Sequence, residues 1–315
     1  MSLRRIPIAF ALLIVAALCA PPSFAGQVRV NVSSFAFSPR AVNLNTGDHV
    51  VWIWTSGTHS VTSGDSASSS ASGVFNTITA VASTSTFSFK SSTIQTIPYY
   101  CIPHAPDMAG RVIVQASGNT TASDFRITEV MFAGGEDRVE IANLGASGDL
   151  AKYRLKISGQ SVALLQIGTA ISVATNIASS AGSRIVLHFG TTGTNSTTDL
   201  FFPALSLPDA SGSVALYVPN TVTPSLGLAT QIIDFVQWGA AAQENEGTAN
   251  TAGYWASGSS VNGVAPGHSI EFCGTPGQYG VGFWSEVATP NFGSNGGCST
   301  PTVRSTWGRI KTLYR

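Results

Sequence analysis

Apolar and polar residues alternate with a period of two through residues 28–54. In VRVNV, Val28, Val30 and Val32 fall on one face of a strand. FAFSPRAVNLNTGDHVVWIW continues as a strand, a proline-led bend, a second strand, the turn NTGD and a third strand. Alternation returns in TSTFSFK, at Phe87 and Phe89, and then in IPYYC and GRVIVQA. Residues 63–73, SGDSASSSASG, have no apolar period and are expected to form a polar surface loop. No segment before residue 116 carries a helical period. SGNTTASD lacks large apolar side chains and reads as a linker. A second series of short strands is predicted beyond it: FRITEVMF, DRVEIANL, YRLKISG, VALLQI, RIVLHFG, GSVALYV, QIIDFVQWG and HSIEFC. Gly, Asn, Asp and Pro separate them, as in antiparallel sandwiches. Residues 240–266, rich in Ala, Gly and Asn, are expected to be a long loop.

The pattern predicts an all-β molecule of two sandwiches. The expected division is a signal peptide at 1–25, a first domain at 26–116, a linker at 117–123, a second domain at 124–298 and a basic tail at 299–315. The N-terminus reads as an export signal. Arg4 and Arg5 precede the apolar stretch IPIAFALLIVAALCA, and small residues at Ser23 and Ala25 place cleavage after Ala25. That stretch is shorter than the ~20 residues that cross a bilayer, and no later run is longer, so no membrane span is expected. Pro7 argues against a twin-arginine signal, and Leu18 against lipidation of Cys19.

Composition narrows the function. Without residues 1–25 the chain has 14 basic and 16 acidic residues, a net charge of −2. Nothing in that balance attracts nucleic acid or an anionic membrane. In the tail RSTWGRIKTLYR, Arg304, Arg309, Lys311 and Arg315 are basic, and Trp307, Ile310 and Leu313 recur at helical spacing. Both a sorting tail and a packed terminal turn fit that pattern. Three cysteines remain after processing. Cys273 and Cys298 are close in sequence and are expected to form a disulfide, leaving Cys101 odd in an oxidising compartment.

Cys101 lies in YYCIPHAPDMAG, with His104 and Met108. Two histidines, a thiolate and a weak axial thioether suit copper, because the set accommodates both Cu(I) and Cu(II). A thioether ligand argues against zinc, and the prolines and Asp107 make a poor core strand. The second histidine is His49 or His59. His49 begins the strand HVVWIW, whereas His59 lies in a loop after its end. At ~3.3 Å per residue the two stand near opposite poles of a sandwich. His59 is the expected ligand, and His49 is expected at the surface.

These motifs resemble a plastocyanin- or pseudoazurin-type cupredoxin. FAFSPRAVNLNTGDHVVWIW resembles the family's opening strands, THSVTSG the loop of its first copper histidine, and YYCIPHAPDMAGRVIV its closing loop and last strand. The resemblance covers residues 27–116 and implies a Greek-key sandwich. It assigns one copper ion to His59, Cys101, His104 and Met108, and implies single-electron transfer with a redox protein partner. Two features depart from the family. Three residues separate His104 from Met108, where plastocyanin-like loops have four and amicyanin-like loops two. Ser60 stands where many relatives have Asn. No His-x-His pairs occur, so a multicopper oxidase is excluded and no enzyme is expected. A structural copper site in an adhesion protein, or copper scavenging, are the alternative readings.

ITEVMFAGGEDRVEIANLG, AGSRIVLHFG, GSVALYV, IIDFVQWG and FWSEVATPNFGSN resemble, in order, the landmarks of a lamin-tail domain, an immunoglobulin-like sandwich. This resemblance covers residues 124–297 and implies an accessory module with an envelope or extracellular ligand. Glu136, Asp137 and Glu140 are too few oxygens for calcium and read as a solvated turn. His188 reads as a strand residue and His268 as isolated.

Overall fold

The computed structural model describes residues 26–77, 85–116, 122–160, 165–166, 180–223 and 225–294. Nine strands make the first sandwich: β1 (Gln27–Ser33), β2 (Ala36–Ser38), β3 (Ala41–Asn45), β4 (His49–Trp54), β5 (Thr62–Asp65), β6 (Ser70–Asn76), β7 (Thr86–Lys90), β8 (Gln95–Tyr100) and β9 (Ala109–Gln115). One sheet runs β2-β1-β4-β7 and the facing sheet β3-β9-β8-β5-β6. β1 is parallel to β4, and β3 to β9. Val30, Val50, Trp52 and Trp54 of the first sheet meet Leu44, Tyr99, Val112 and Val114 of the second in one core.

Ten strands follow: β10 (Phe125–Met131), β11 (Asp137–Asn143), β12 (Arg154–Ile157), β13 (Leu165–Gln166), β14 (Arg184–Phe189), β15 (Asp199–Phe202), β16 (Gly212–Tyr217), β17 (Ile232–Trp238), β18 (Ser269–Phe272) and β19 (Trp284–Val287). They form the sheets β15-β14-β11-β10-β18-β19 and β13-β12-β16-β17. Val139 and Ile141 of the former share a core with Val214, Leu216 and Phe235 of the latter. The molecule is all-β, as its alternation predicts.

β4 explains how the halves meet. All six of its residues are buried, although a sandwich strand normally exposes every second side chain. Val50, Trp52 and Trp54 point into the first core. His49, Val51 and Ile53 point the other way, onto the second half. Val51 and Ile53 line a cleft shared with Ser147, Asp149 and Tyr153. His49 Nε2 donates to Thr230 O at 2.9 Å, Thr221 N to Thr86 O at 2.9 Å, Lys90 Nζ to Tyr254 OH at 3.0 Å and Arg29 Nη1 to Asp149 Oδ2 at 2.9 Å. The outer face of one sheet is thus the seam. His49 is therefore wholly buried, not on the surface as expected. Burial pushes its pKa down to about 3, with Lys90 adding to the effect.

Four further expectations are corrected. Residues 63–73 lie in a hairpin, because polar side chains bridge it where apolar alternation is missing. Thr62 Oγ1 donates to Asn76 Oδ1 at 2.9 Å, and Ser63 Oγ to Phe75 O at 2.9 Å. Within 240–266 a short helix, α1 (Glu246–Thr251), is anchored by the Glu246 carboxylate, which accepts from Gln237 Nε2 at 2.7 Å and Gly258 N at 2.7 Å. Glu140 is buried against Arg184 and Thr128 rather than solvated. Glu136 pairs with His188 Nδ1 at 2.9 Å. His188 does lie on a strand, β14, and His268 is not isolated, because its Nδ1 meets Glu286 at 2.7 Å.

Candidate metal centre

At the pole away from His49, the β4–β5 loop brings His59 against the loop between β8 and β9. Cys101 closes β8 and caps a short 3-10 turn, Ile102–His104. Three backbone bonds fold this loop on itself: Cys101 N to Met108 O at 2.9 Å, His104 N to Cys101 O at 3.1 Å and Met108 N to His104 O at 3.0 Å. The chain therefore leaves β8 and re-enters β9 with Cys101 and Met108 both buried in the first core.

The donor atoms converge. His59 Nδ1 and His104 Nδ1 are 3.2 Å apart. Cys101 Sγ lies 3.3 Å from His104 Nδ1 and 3.8 Å from His59 Nδ1. Among the described residues this is the one group of three His, Cys, Asp or Glu donors close enough to share an ion. Metal bonds of ~2.0–2.3 Å to nitrogen and sulfur are compatible with these separations. Lone pairs of two imidazoles and a sulfur crowd one point, an arrangement that a cation relieves. Imidazole and sulfur donors fit copper. Burial, and secondarily His104, hold the His59 imidazole below its usual pKa, favouring the neutral form that ligates.

Neighbouring residues set the orientation of each donor. Trp54 Nε1 donates to His59 O at 2.9 Å, tying the loop to the end of β4. Gly57 has φ +73°, and a Cβ there would stand 2.5 Å from His59 Nε2. Only glycine leaves room for the ring to turn its Nδ1 inward. His59 Nε2 is buried and has no hydrogen-bond partner among the described residues. Ser60 N donates to Cys101 Sγ at 3.3 Å, and Ser60 Oγ accepts from Ile102 N at 2.7 Å. The serine thus joins the two loops with its short side chain. Phe35, 69% exposed and at φ +58°, sets its ring edge-on to His104, with centroids 4.6 Å apart. His104 is half-buried, whereas His59 and Cys101 are buried.

His59, Cys101 and His104 come together, and Met108 is buried in the β8–β9 loop that carries Cys101 and His104. His49 stands apart, at the seam. Cys273 is disulfide-bonded, while its expected partner Cys298 lies outside the described residues, as does the basic tail. Cys101 is a free, buried thiol. The roles of Trp54, Gly57 and Phe35 escaped the sequence reading. Trp54 and Phe35 resemble ordinary strand residues, and only the glycine in SGTH hinted at a tight loop.

No curated protein matches the chain. Among solved structures it is similar to an oxidised amicyanin variant, at 21% identity over 28% of this chain and 81% of that one, with a TM-score of 0.24. It is similar to a purple cupredoxin from Nitrosopumilus maritimus, at 20% identity over 28% of this chain and 98% of that one, TM-score 0.25. A mutant fern plastocyanin gives 20% identity over 28% of this chain and 100% of that one, TM-score 0.24. The family model of copper binding proteins, plastocyanin/azurin family, matches residues 24–115. The chain therefore carries a plastocyanin/azurin-family copper-binding domain, and its cofactor is copper.

Proposed function

We propose that the protein is exported and carries single electrons through one copper ion, which His59, Cys101, His104 and Met108 would hold. The convergence of the two Nδ1 atoms and Sγ within 3.8 Å carries this reading. Copper supplies a one-electron couple. The chain's own residues keep the donor set in place whichever state the couple is in. Trp54 and Ser60 fix the two loops by hydrogen bonds, Gly57 admits the His59 ring, and the core around Cys101 and Met108 excludes water. A carrier that reorganises little on gaining an electron transfers it with a small barrier. The half-buried His104 imidazole, edged by Phe35 and the exposed Ile102, is the route by which an electron reaches a protein partner.

In the same reading residues 124–297 are a lamin-tail-like accessory domain that recruits or tethers the carrier, and Cys298 closes a disulfide with Cys273. The long seam on β4 supports a permanently docked module rather than a loosely tethered one. Adding Cu(II) to the purified protein tests the proposal. An intense visible charge-transfer band and a reversible voltammetric wave are expected. Copper binding without a reversible wave would replace electron transfer by a structural site or by scavenging.

A further inference from the structure

On the proposed export reading, cleavage after Ala25 would make Gly26 the first residue of the processed chain. Gly26 N stands 2.9 Å from Asp48 Oδ1, and Asp48 Oδ2 accepts from Asn45 N at 2.9 Å. Asp48 is wholly buried. Burial drives its pKa up to about 6; the two backbone N–H groups and Lys90 oppose the rise and the Asp124 carboxylate adds to it. Asp124 is 4% exposed, and neither of its oxygens has a hydrogen-bond partner among the described residues.

Two cations stand nearby and are shared. Arg126 Nε pairs with the buried Asp234 at 3.2 Å and its charge also acts on Asp124, and Lys90 Nζ donates to Tyr254 OH. Three buried carboxylates, Asp48, Asp124 and Asp234, thus face one buried guanidinium and one half-buried ammonium. Buried charges are normally paired, because an isolated one is costly in a low-dielectric interior.

The surroundings of Gly26 are also tight. A Cβ on Gly26 would come within 2.6 Å of Ala122 Cβ and 2.9 Å of Asp48 Oδ1. Gly26 O accepts from His49 N at 2.7 Å. Next to it, Gln27 and Ser123 exchange backbone bonds of 2.8 and 3.0 Å. Gly26 N therefore sits where the chain of the second half leaves the first.

We propose that hydrolysis of the Ala25–Gly26 peptide bond converts the Gly26 nitrogen into an α-ammonium that docks against the Asp48 and Asp124 carboxylates and completes the junction between the two sandwiches. A signal-peptidase-class protease adds water across that bond. Ala25 departs with a new carboxylate, and the released nitrogen takes up a proton. A neutral peptide N–H gives way to three donors and a positive charge at a point that holds excess negative charge. The inference rests on the export reading and is independent of the copper.

Intact mass and amine labelling of the exported wild-type protein test it without any variant. The mass should begin at Gly26, and its α-amine should react at least roughly tenfold more slowly in the native than in the denatured protein. Asp48→Asn and Asp124→Asn should each accelerate native-state labelling. A chain that keeps Ala25 before Gly26 should unfold at a lower temperature than the processed chain, and Asp48→Asn should shrink that difference. A mass that still begins at Met1 overturns the export reading and the inference with it, and a cut at another bond overturns the inference alone. The right mass with equally fast labelling in both states overturns the docking alone, and the charge-transfer band tests the copper separately.

Discussion

Gly57 and Pro103 act on the candidate metal centre through what they lack. Gly57→Ala places a methyl group 2.5 Å from His59 Nε2 at a left-handed φ. Strain of about 1–3 kcal/mol should then weaken copper binding by roughly 5- to 150-fold, with the metal-free fold retained. Competition with a Cu(I) chelator measures it, and unchanged affinity would remove Gly57 from the site's design. Cys101 is the N-cap of the 3-10 turn, and its side chain receives no capping hydrogen bond. An N-cap side chain ordinarily accepts from the second or third residue of the turn, and the second here is Pro103, which has no N–H. Pro103→Ala supplies that donor next to the thiolate. Added hydrogen bonding favours the reduced, electron-rich state, so the reduction potential should rise. Voltammetry giving a lower or unchanged value contradicts this account.

At the scale of elements, β4 serves a core on one face and a seam on the other. Its inward residues build the first sandwich, and its outward residues are covered by the second half. Ile53→Asp puts a carboxylate into that cover without touching the ligand loops. The buried, unpaired charge should cost on the order of 3 kcal/mol, read as a lower thermal midpoint. The charge-transfer band should survive, because His59, Cys101 and His104 are held by the β4–β5 and β8–β9 loops. Loss of the band together with stability would mean that the seam also shapes the metal centre. The short apolar run of HVVWIW made a strand legible. A run of six buried residues is equally what a strand between two layers produces, but nothing in the run names the second layer. The hairpin β5–β6 was illegible for the opposite reason: serine and threonine side chains hold it where the sequence offers no apolar face.

For the whole molecule, His49 couples stability to pH through the seam. The folded imidazole stays neutral down to about pH 3, whereas the ordinary value is 6.5. Between those values the unfolded chain binds the extra proton, so stability falls as pH drops from 6.5 toward 3 and levels off below. His49→Gln keeps an N–H donor for Thr230 O but does not titrate. Urea unfolding of the metal-free protein at pH 7.5 and 4.5 should show a smaller acid loss in the variant than in the wild type. Equal losses would mean that His49 does not titrate across the unfolding transition.

The sequence alone determined the strands of the first sandwich other than the β5–β6 hairpin, the all-β class and the clustering of Cys101, His104 and Met108 in one loop, because these depend on neighbours a few residues apart. It also favoured His59 over His49, because strand length sets the two at opposite poles and a loop after a strand presents a ligand more easily than a strand's start. Tertiary structure decided what depends on distant segments. It turned the His59 ring under Gly57, set Phe35 against His104, buried Glu140 against Arg184 and made the outer face of β4 a seam. Side-chain periodicity reports which face of a strand is apolar, but not which part of the chain will cover the other face.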